Sequence, residues 1–316
     1  MNHFLGIDEN GLGPIMGPLV VTGVLAQGQE DISDWFPGVE DSKTFFRSRD
    51  IKSLKKMEEM AIAAFFAVYN YLPTGPMELI GKISGSPSCP FVIPPSFVIP
   101  AEAGIHCGYE KSLCYKNVPD SFLWAEISDA EKQGNELKKW MEREKYVLKQ
   151  IKCKVVCPYN FNTFIEDGNS KFFLDFVKFT EIIKDIGKNN MDIFAGKIGG
   201  LKRYLPYLRY SFQGWEITKI EEKKELSFYH LIKNKITRFK IGFYLNVEKV
   251  SFLAALSSII GKYVREIFMY GINVSLGNNK NMVSGYRDKR TTAFISKNRS
   301  LFKTLNIPEK CLFRQK

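Results

Sequence analysis

Apolar residues recur along this chain in two rhythms, and those rhythms divide it into elements. Residues 3–8 and 18–26 are short apolar runs, the second rich in β-branched side chains, and read as strands joined by a glycine-rich turn. Ile51, Leu54, Met57 and Met60 then follow at helical spacing, with Ser48 or Asp50 placed to cap the helix. The apolar stretch Ala61–Leu72 reads as the end of that helix passing into a third strand. From about 120 to 190 the pattern is helical, clearest in DAEKQGNELKKWMEREK and SKFFLDFVKFTEIIKDIGK. Strand-like runs return at 191–198, 215–222 and 236–248, the last alternating well enough to form a hairpin with SFYHLIK. The clearest helix covers 250–270. Val250, Leu253, Leu256, Ile260, Val264, Ile267 and Phe268 line one face of it, and Ala254, Ala255, Ser257, Ser258 and Gly261 allow close packing. Strands first, then helices alternating with strands, predict an α/β fold: a mixed sheet flanked by helices.

One stretch breaks both rhythms. Residues 84–108 carry five prolines and the near-duplicate FVIPPSFVIP, which deny regular structure. FVIPAEAGIH resembles the translated form of dispersed repeat elements in bacterial genomes. We read 84–114 as a disordered insertion in a surface loop.

Composition narrows the partners. With 316 residues, 45% hydrophobic, the chain has enough apolar side chains for a sizeable core and is not a disordered polymer. A net charge of +11 favours a polyanionic partner, nucleic acid or an acidic surface. No stretch approaches the roughly 20 apolar residues of a membrane span, and the early acids Asp8 and Glu9 do not suit a secretory leader. A soluble, cytoplasmic monomer is the expectation. The six cysteines, Cys89, Cys107, Cys114, Cys153, Cys157 and Cys311, form no paired metal-binding spacing and are expected to be reduced thiols. His230 lacks a visible Ser or Cys partner and is expected to be an ordinary strand residue.

The candidate chemistry lies at the end of the first strand. Asp8 and Glu9 precede Asn10-Gly11-Leu12-Gly13. Neighbouring strand side chains point to opposite faces, so the two acids converge only if the strand ends or bulges there. Two carboxylates at a strand end suit a hard divalent cation. The glycines permit close backbone approach, and their N–H groups suit phosphate or hydroxyl oxygens. Two solvated acids before an ordinary turn would have the same spacing.

Four blocks in order resemble one family. GIDENGLGPIMGPLVV resembles the opening of type 2 ribonucleases H (ribonuclease HII), and DSK at Asp41–Lys43 its next block. VSFLAALSSIIGKYVREIFM resembles its long A-A-S-I-x-A-K-x-x-R-D helix, and SGYRDKRTTAFI its G-Y-x-x-D-x-x-T-x-x-F block. The resemblance implies a ribonuclease H-like domain over 1–272, interrupted by the insertion, and a C-terminal substrate-binding segment over 273–316. It implies hydrolysis of the RNA strand of RNA–DNA hybrids by two divalent ions, Mg2+ or Mn2+, held by four acids.

Asp8 and Glu9 fall on the first two acids, and Glu248, ten residues before Ser258, falls on the fourth with a Glu in place of Asp. Gly196 stands where the third acid belongs. Asp192 lies four residues back, about 13 Å along a strand. Lys197 is expected to bring positive charge towards the site. In the glycine loop, Gly11-Leu12-Gly13 replaces the family's Gly-Arg-Gly. The resemblance assigns substrate contacts to Gly11, Leu12, Gly13, Lys43 and Tyr286, the last two also compatible with a surface lysine and a packing tyrosine. Without the loop arginine, cleavage within RNA tracts is expected rather than at single ribonucleotides. The loss at Gly196 keeps open a binding module without catalysis, and a third reading is a related nuclease acting on DNA.

Overall fold

The computed structural model describes residues 2–29, 35–39, 50–85, 117–298, 300, 302 and 308–315. Ser48, Lys43 with the rest of its block, residues 86–114 of the expected insertion, and Cys89, Cys107 and Cys114 lie outside them.

Seven strands form one mixed sheet in the order β3-β2-β1-β4-β7-β6-β5. They are β1 (Asn2–Asn10), β2 (Leu19–Gly28), β3 (Val147–Val156), β4 (Met191–Gly196), β5 (Glu216–Glu222), β6 (Leu226–Lys233) and β7 (Thr237–Tyr244). β1 lies between antiparallel β2 and parallel β4, and β4 continues to parallel β7. The hairpin expected between 227–233 and 236–248 is present, with Leu226 opposite Tyr244 and Lys233 opposite Thr237. His230 is a strand residue opposite Lys240 in that hairpin. The predicted α/β mixed sheet flanked by helices is therefore the observed architecture.

Alternation along β1 sorts the core into two layers. Phe4 packs with α1 (Ile51–Tyr69), α2 (Pro76–Ser84), α3 (Ile127–Arg143) and α7 (Phe252–Ser275). Leu5 and Ile7 pack on the other face with α5 (Lys171–Ile186) and α6 (Leu205–Ser211). α7 lies so close to β1 that a Cβ on Gly6 would stand 2.1 Å from the backbone nitrogen of Ala254. The Ser257 hydroxyl donates to the Gly6 carbonyl at 2.9 Å across this contact. The small side chains of the predicted helix are what permit it.

Two expected elements differ. The apolar run 61–72 does not turn into a strand, because α1 continues to Tyr69 and stops at Asn70, which adopts a left-handed conformation. Residues 120–190 are not helical throughout, because β3 pairs with β2 inside that span. A short helix, α4 (Pro158–Glu166), follows it. Asp50 caps α1, accepting the Ser53 N–H at 2.7 Å. Cys153, Cys157 and Cys311 are buried and in no disulfide.

After α7 the chain packs back on itself. Met16, Met269, Ile272, Val283, Phe302 and Leu312 share a small core with α8 (Lys289–Lys297) and α9 (Glu309–Leu312) alongside. α7 crosses the division expected at 272/273. No described helix is long and apolar enough to cross a membrane.

Candidate active site

The parallel pairing of β1 with β4 ends at Ile7–Ala195, while its pairing with β2 runs on to Asn10–Val20. Asp8 and Glu9 thus sit where β1 has lost one neighbour. The expected bulge is absent, since the β1–β2 register is unbroken through both acids. The break comes one residue later, at Gly11, whose φ of +99° belongs to the region open to glycine. The two side chains consequently leave on opposite faces, Asp8 towards α7 and Glu9 towards α4 and α5.

Asp8 is half-buried beside the first turns of α7. Loss of hydration pushes its carboxyl up to about 6, and Glu248 pushes the same way. A hydrogen bond from Ser258 and the charge of Lys262 oppose that rise. Ser258 and Lys262 are one helical turn apart, so a single face of α7 addresses Asp8. Asn10 fastens the strand end to this helix by donating to the Ser258 carbonyl at 3.2 Å.

Glu9 is pushed up to about 7, by loss of hydration first and by the Asp8 charge second. It is held by the loop that follows, because the Leu12 N–H donates to its Oε2 at 3.0 Å. That amide is thereby used within the loop. The Leu12 side chain is buried against Leu19, Phe161 and Leu174. Gly13 alone of the loop trio is exposed, with open space where a Cβ would be.

Glu248 lies on a 3₁₀ turn (Val247–Lys249) ahead of α7, 3% exposed, and its charge acts on Asp8. Gly196 ends β4 directly beside Asp8, where a Cβ would come within 2.6 Å of Asp8 Oδ1. Asp192 stands at the other end of β4, opposite Phe4, in an ion pair with Lys240 at 3.4 Å. Lys197 does not point into the site. Its ammonium donates to the Lys223 carbonyl at the β5–β6 turn and lies 3.3 Å from the Ser227 hydroxyl.

The glycine loop is clamped by both C-terminal stretches. Ile15 and Met16 donate backbone N–H groups to the Gly285 carbonyl at 2.8 and 3.1 Å, and Arg314 N–H donates to the Ile15 carbonyl at 2.8 Å. Arg265 of α7 links the same parts from below, donating to the carbonyls of Met16 (3.3 Å) and Ser284 (3.0 Å). Tyr286, 47% exposed, lies over Arg265, whose guanidinium carbon is 4.9 Å from the ring centre. Arg265 and Arg314 are also the cations that act on Glu9. A pocket of about 210 Å³ opens beside the loop, lined by Gly13, Lys171, Arg287, Arg314 and Gln315 among others.

One acid near the site carries no motif. Asp175 on α5 is fully buried, and neither of its carboxylate oxygens has a hydrogen-bond partner. The charges that act on it are those of Glu9 and Asp8. A sequence signal for it does exist. Asp175, Phe179, Ile182 and Ile186 fall at i, i+4, i+7 and i+11, so an acid occupies the apolar stripe of its helix.

The donors around the strand end are all carboxylate oxygens, the set that suits Mg2+ or Mn2+. Asp175's oxygens have no hydrogen-bond partner, Glu248 pushes Asp8 up and Asp8 pushes Glu9 up, with Lys262, Arg265 and Arg314 opposing. Among the described residues, no three Asp, Glu, His or Cys side chains stand close enough to hold one ion as placed. The residues suit such an ion in chemistry, and as placed they are not gathered around one position.

No family profile matches the chain, and no curated protein matches it in sequence. Its structural neighbours are ribonucleases HII and HIII. The chain is similar over 99% of its length to 96% of a chain from the PCNA:RNase HII complex of Archaeoglobus fulgidus, at 14% identity and TM-score 0.44. It is similar over 98% of its length to 92% of the ribonuclease H2 from Pyrococcus horikoshii OT3, at 13% identity and TM-score 0.45. It is similar over 99% of its length to 66% of Bst-RNase HIII in complex with Mn2+, at 11% identity and TM-score 0.43.

Proposed function

We propose that this chain is a divalent-metal-dependent endonuclease that hydrolyses the RNA strand of RNA–DNA hybrids. The observation that carries the reading is the seating of Asp8 and Glu9 at the bared end of β1, with Glu248 acting on Asp8. Asp8, Glu9 and Glu248 would hold Mg2+ or Mn2+. Bound there, the ions would activate water and stabilise the leaving oxygen of an in-line displacement.

The chain's own residues do the rest. The Ser258 hydroxyl orients Asp8, and the Leu12 amide orients Glu9. Gly13 presents bare backbone to the substrate, and Lys171 and Arg287 beside it supply the phosphate-directed charge that Leu12 cannot. Tyr286, held over Arg265, offers a ring face and a hydroxyl at the mouth of the site. These groups would distinguish a ribose by its 2′-OH.

Gly196 favours a second reading, a hybrid-binding module without turnover, since that strand end lacks a carboxylate. A labelled hybrid incubated with Mn2+ separates the two. Cleavage that disappears in Asp8→Asn supports the nuclease. Salt-sensitive binding without cleavage supports the module and overturns the nuclease.

A further inference from the structure

We infer that Asp175 is the chain's replacement third carboxylate, reaching the metal site from helix α5 rather than from the end of β4. The inference rests on the proposed function and adds a ligand that no motif assigns.

An acid placed at 196 would have to push the Asp8 carboxylate aside. Gly196 and Asp8 share the α7 face of the sheet, and the space beyond the Gly196 Cα is occupied by Asp8 Oδ1. A carboxylate can instead join the cluster from the opposite face, where Glu9 points. Asp175 does so. It lies one residue after Leu174, which packs beneath Leu12, and one before Phe176, which packs in the layer that holds Ile7.

Its surroundings differ from those of a structural aspartate. A buried structural aspartate ordinarily accepts hydrogen bonds from backbone N–H groups, hydroxyls or a cation. Glu58 in this same protein accepts three backbone N–H bonds, from Leu123, Trp124 and Ala125. Asp175 accepts none at either oxygen, and its charged neighbours are two further carboxylates. The hydroxyl of nearby Tyr204 accepts the Ile198 N–H at 3.0 Å and makes no hydrogen bond to either Asp175 oxygen. An unpaired buried carboxylate is costly to keep, and a divalent ion shared with Glu9 and Asp8 would offset that cost.

The test uses the full chain, with Mn2+ alone as the probe. Binding is read by calorimetric titration and by the rise in melting temperature that Mn2+ produces. Asp175→Asn and Asp175→Ala are compared with the unsubstituted chain and with Asp8→Asn, and each is first melted without metal to establish folding. The inference expects both Asp175 variants to melt at or above the unsubstituted chain without metal, and to bind Mn2+ at least about tenfold more weakly. Binding lost in Asp8→Asn but unchanged in the Asp175 variants overturns the inference and leaves the proposed function standing. Variants that melt lower without metal, yet retain the full Mn2+ response, likewise assign Asp175 to structure and overturn it. No Mn2+ binding by the unsubstituted chain overturns both.

Discussion

A methyl group on Gly196 would stand 2.6 Å from Oδ1 of Asp8, closer than real Cβ contacts come. The glycine at the end of β4 and the aspartate at the end of β1 are thus mutually fitted. Reinstating an acid at 196 should not improve the site. Gly196→Ala and Gly196→Asp should push the Asp8 carboxylate aside and weaken Mn2+ binding about tenfold, with a stability loss of about 1–3 kcal/mol from overpacking. Calorimetric titration with Mn2+ and thermal melting check this, and tighter binding by Gly196→Asp would contradict it.

Burial holds Asp8 near 6 and Glu9 near 7, against ordinary values of 3.8 and 4.5. The folded state therefore binds more protons than the unfolded state between about pH 4 and pH 7. Stability from these groups is fully present below pH 4 and is lost as pH rises through 6 and 7. For partly exposed groups the loss is on the order of 1–2 kcal/mol. Metal-free protein should melt lower at pH 8 than at pH 5, and Asp8→Asn should flatten that fall. Melting curves across this range test the sign, and a rise from pH 5 to pH 8 that Asp8→Asn abolishes would refute it.

Arg265 joins the glycine loop to residues 284–286 through two carbonyls and a ring contact. A lysine keeps the charge but lacks the planar fork and stacks poorly. Arg265→Lys should lower stability by about 1–3 kcal/mol and weaken hybrid binding. Faster amide exchange at 284–286, with β1 unchanged, is the expected signature.

Glu58 fastens the chain just ahead of α3 to helix α1, accepting N–H bonds from Leu123, Trp124 and Ala125 at 3.2, 2.6 and 2.7 Å. Glu58→Ala strands three half-buried donors and should cost about 3 kcal/mol, whereas Glu58→Gln keeps one acceptor and should cost about half that. Urea unfolding measures both.

How much of this could be read in advance depended on how local the signal was. β1, β2, the β6–β7 hairpin and α7 follow from period and turn chemistry within single segments. β3 did not, because Lys149, Lys152 and Lys154 along a sheet-edge strand blur its alternation, and a long helical pattern precedes it. The stop at Asn70 was hidden by the apolar run it interrupts, and only its left-handed backbone marks it. At the site, Asp8, Glu9 and Glu248 could be named from their blocks, and in the structure Glu248 acts on Asp8 while Glu9 leaves on the opposite face. The direction of Lys197 depends on the β5–β6 turn, a contact 26 residues away. Asp175 was visible only as a misfit on an apolar stripe, since its neighbours Glu9 and Asp8 are remote in sequence.

The claim on which the account depends is that carboxylates at the end of β1 take up a divalent ion. Crystals of the full chain soaked in Mn2+, measured at a wavelength where manganese scatters anomalously, would locate it. The account predicts an anomalous peak in direct contact with the carboxylates of Asp8 and Glu9, absent from Asp8→Asn. Manganese elsewhere on the surface, with Asp8 and Glu9 left without an ion, would contradict it.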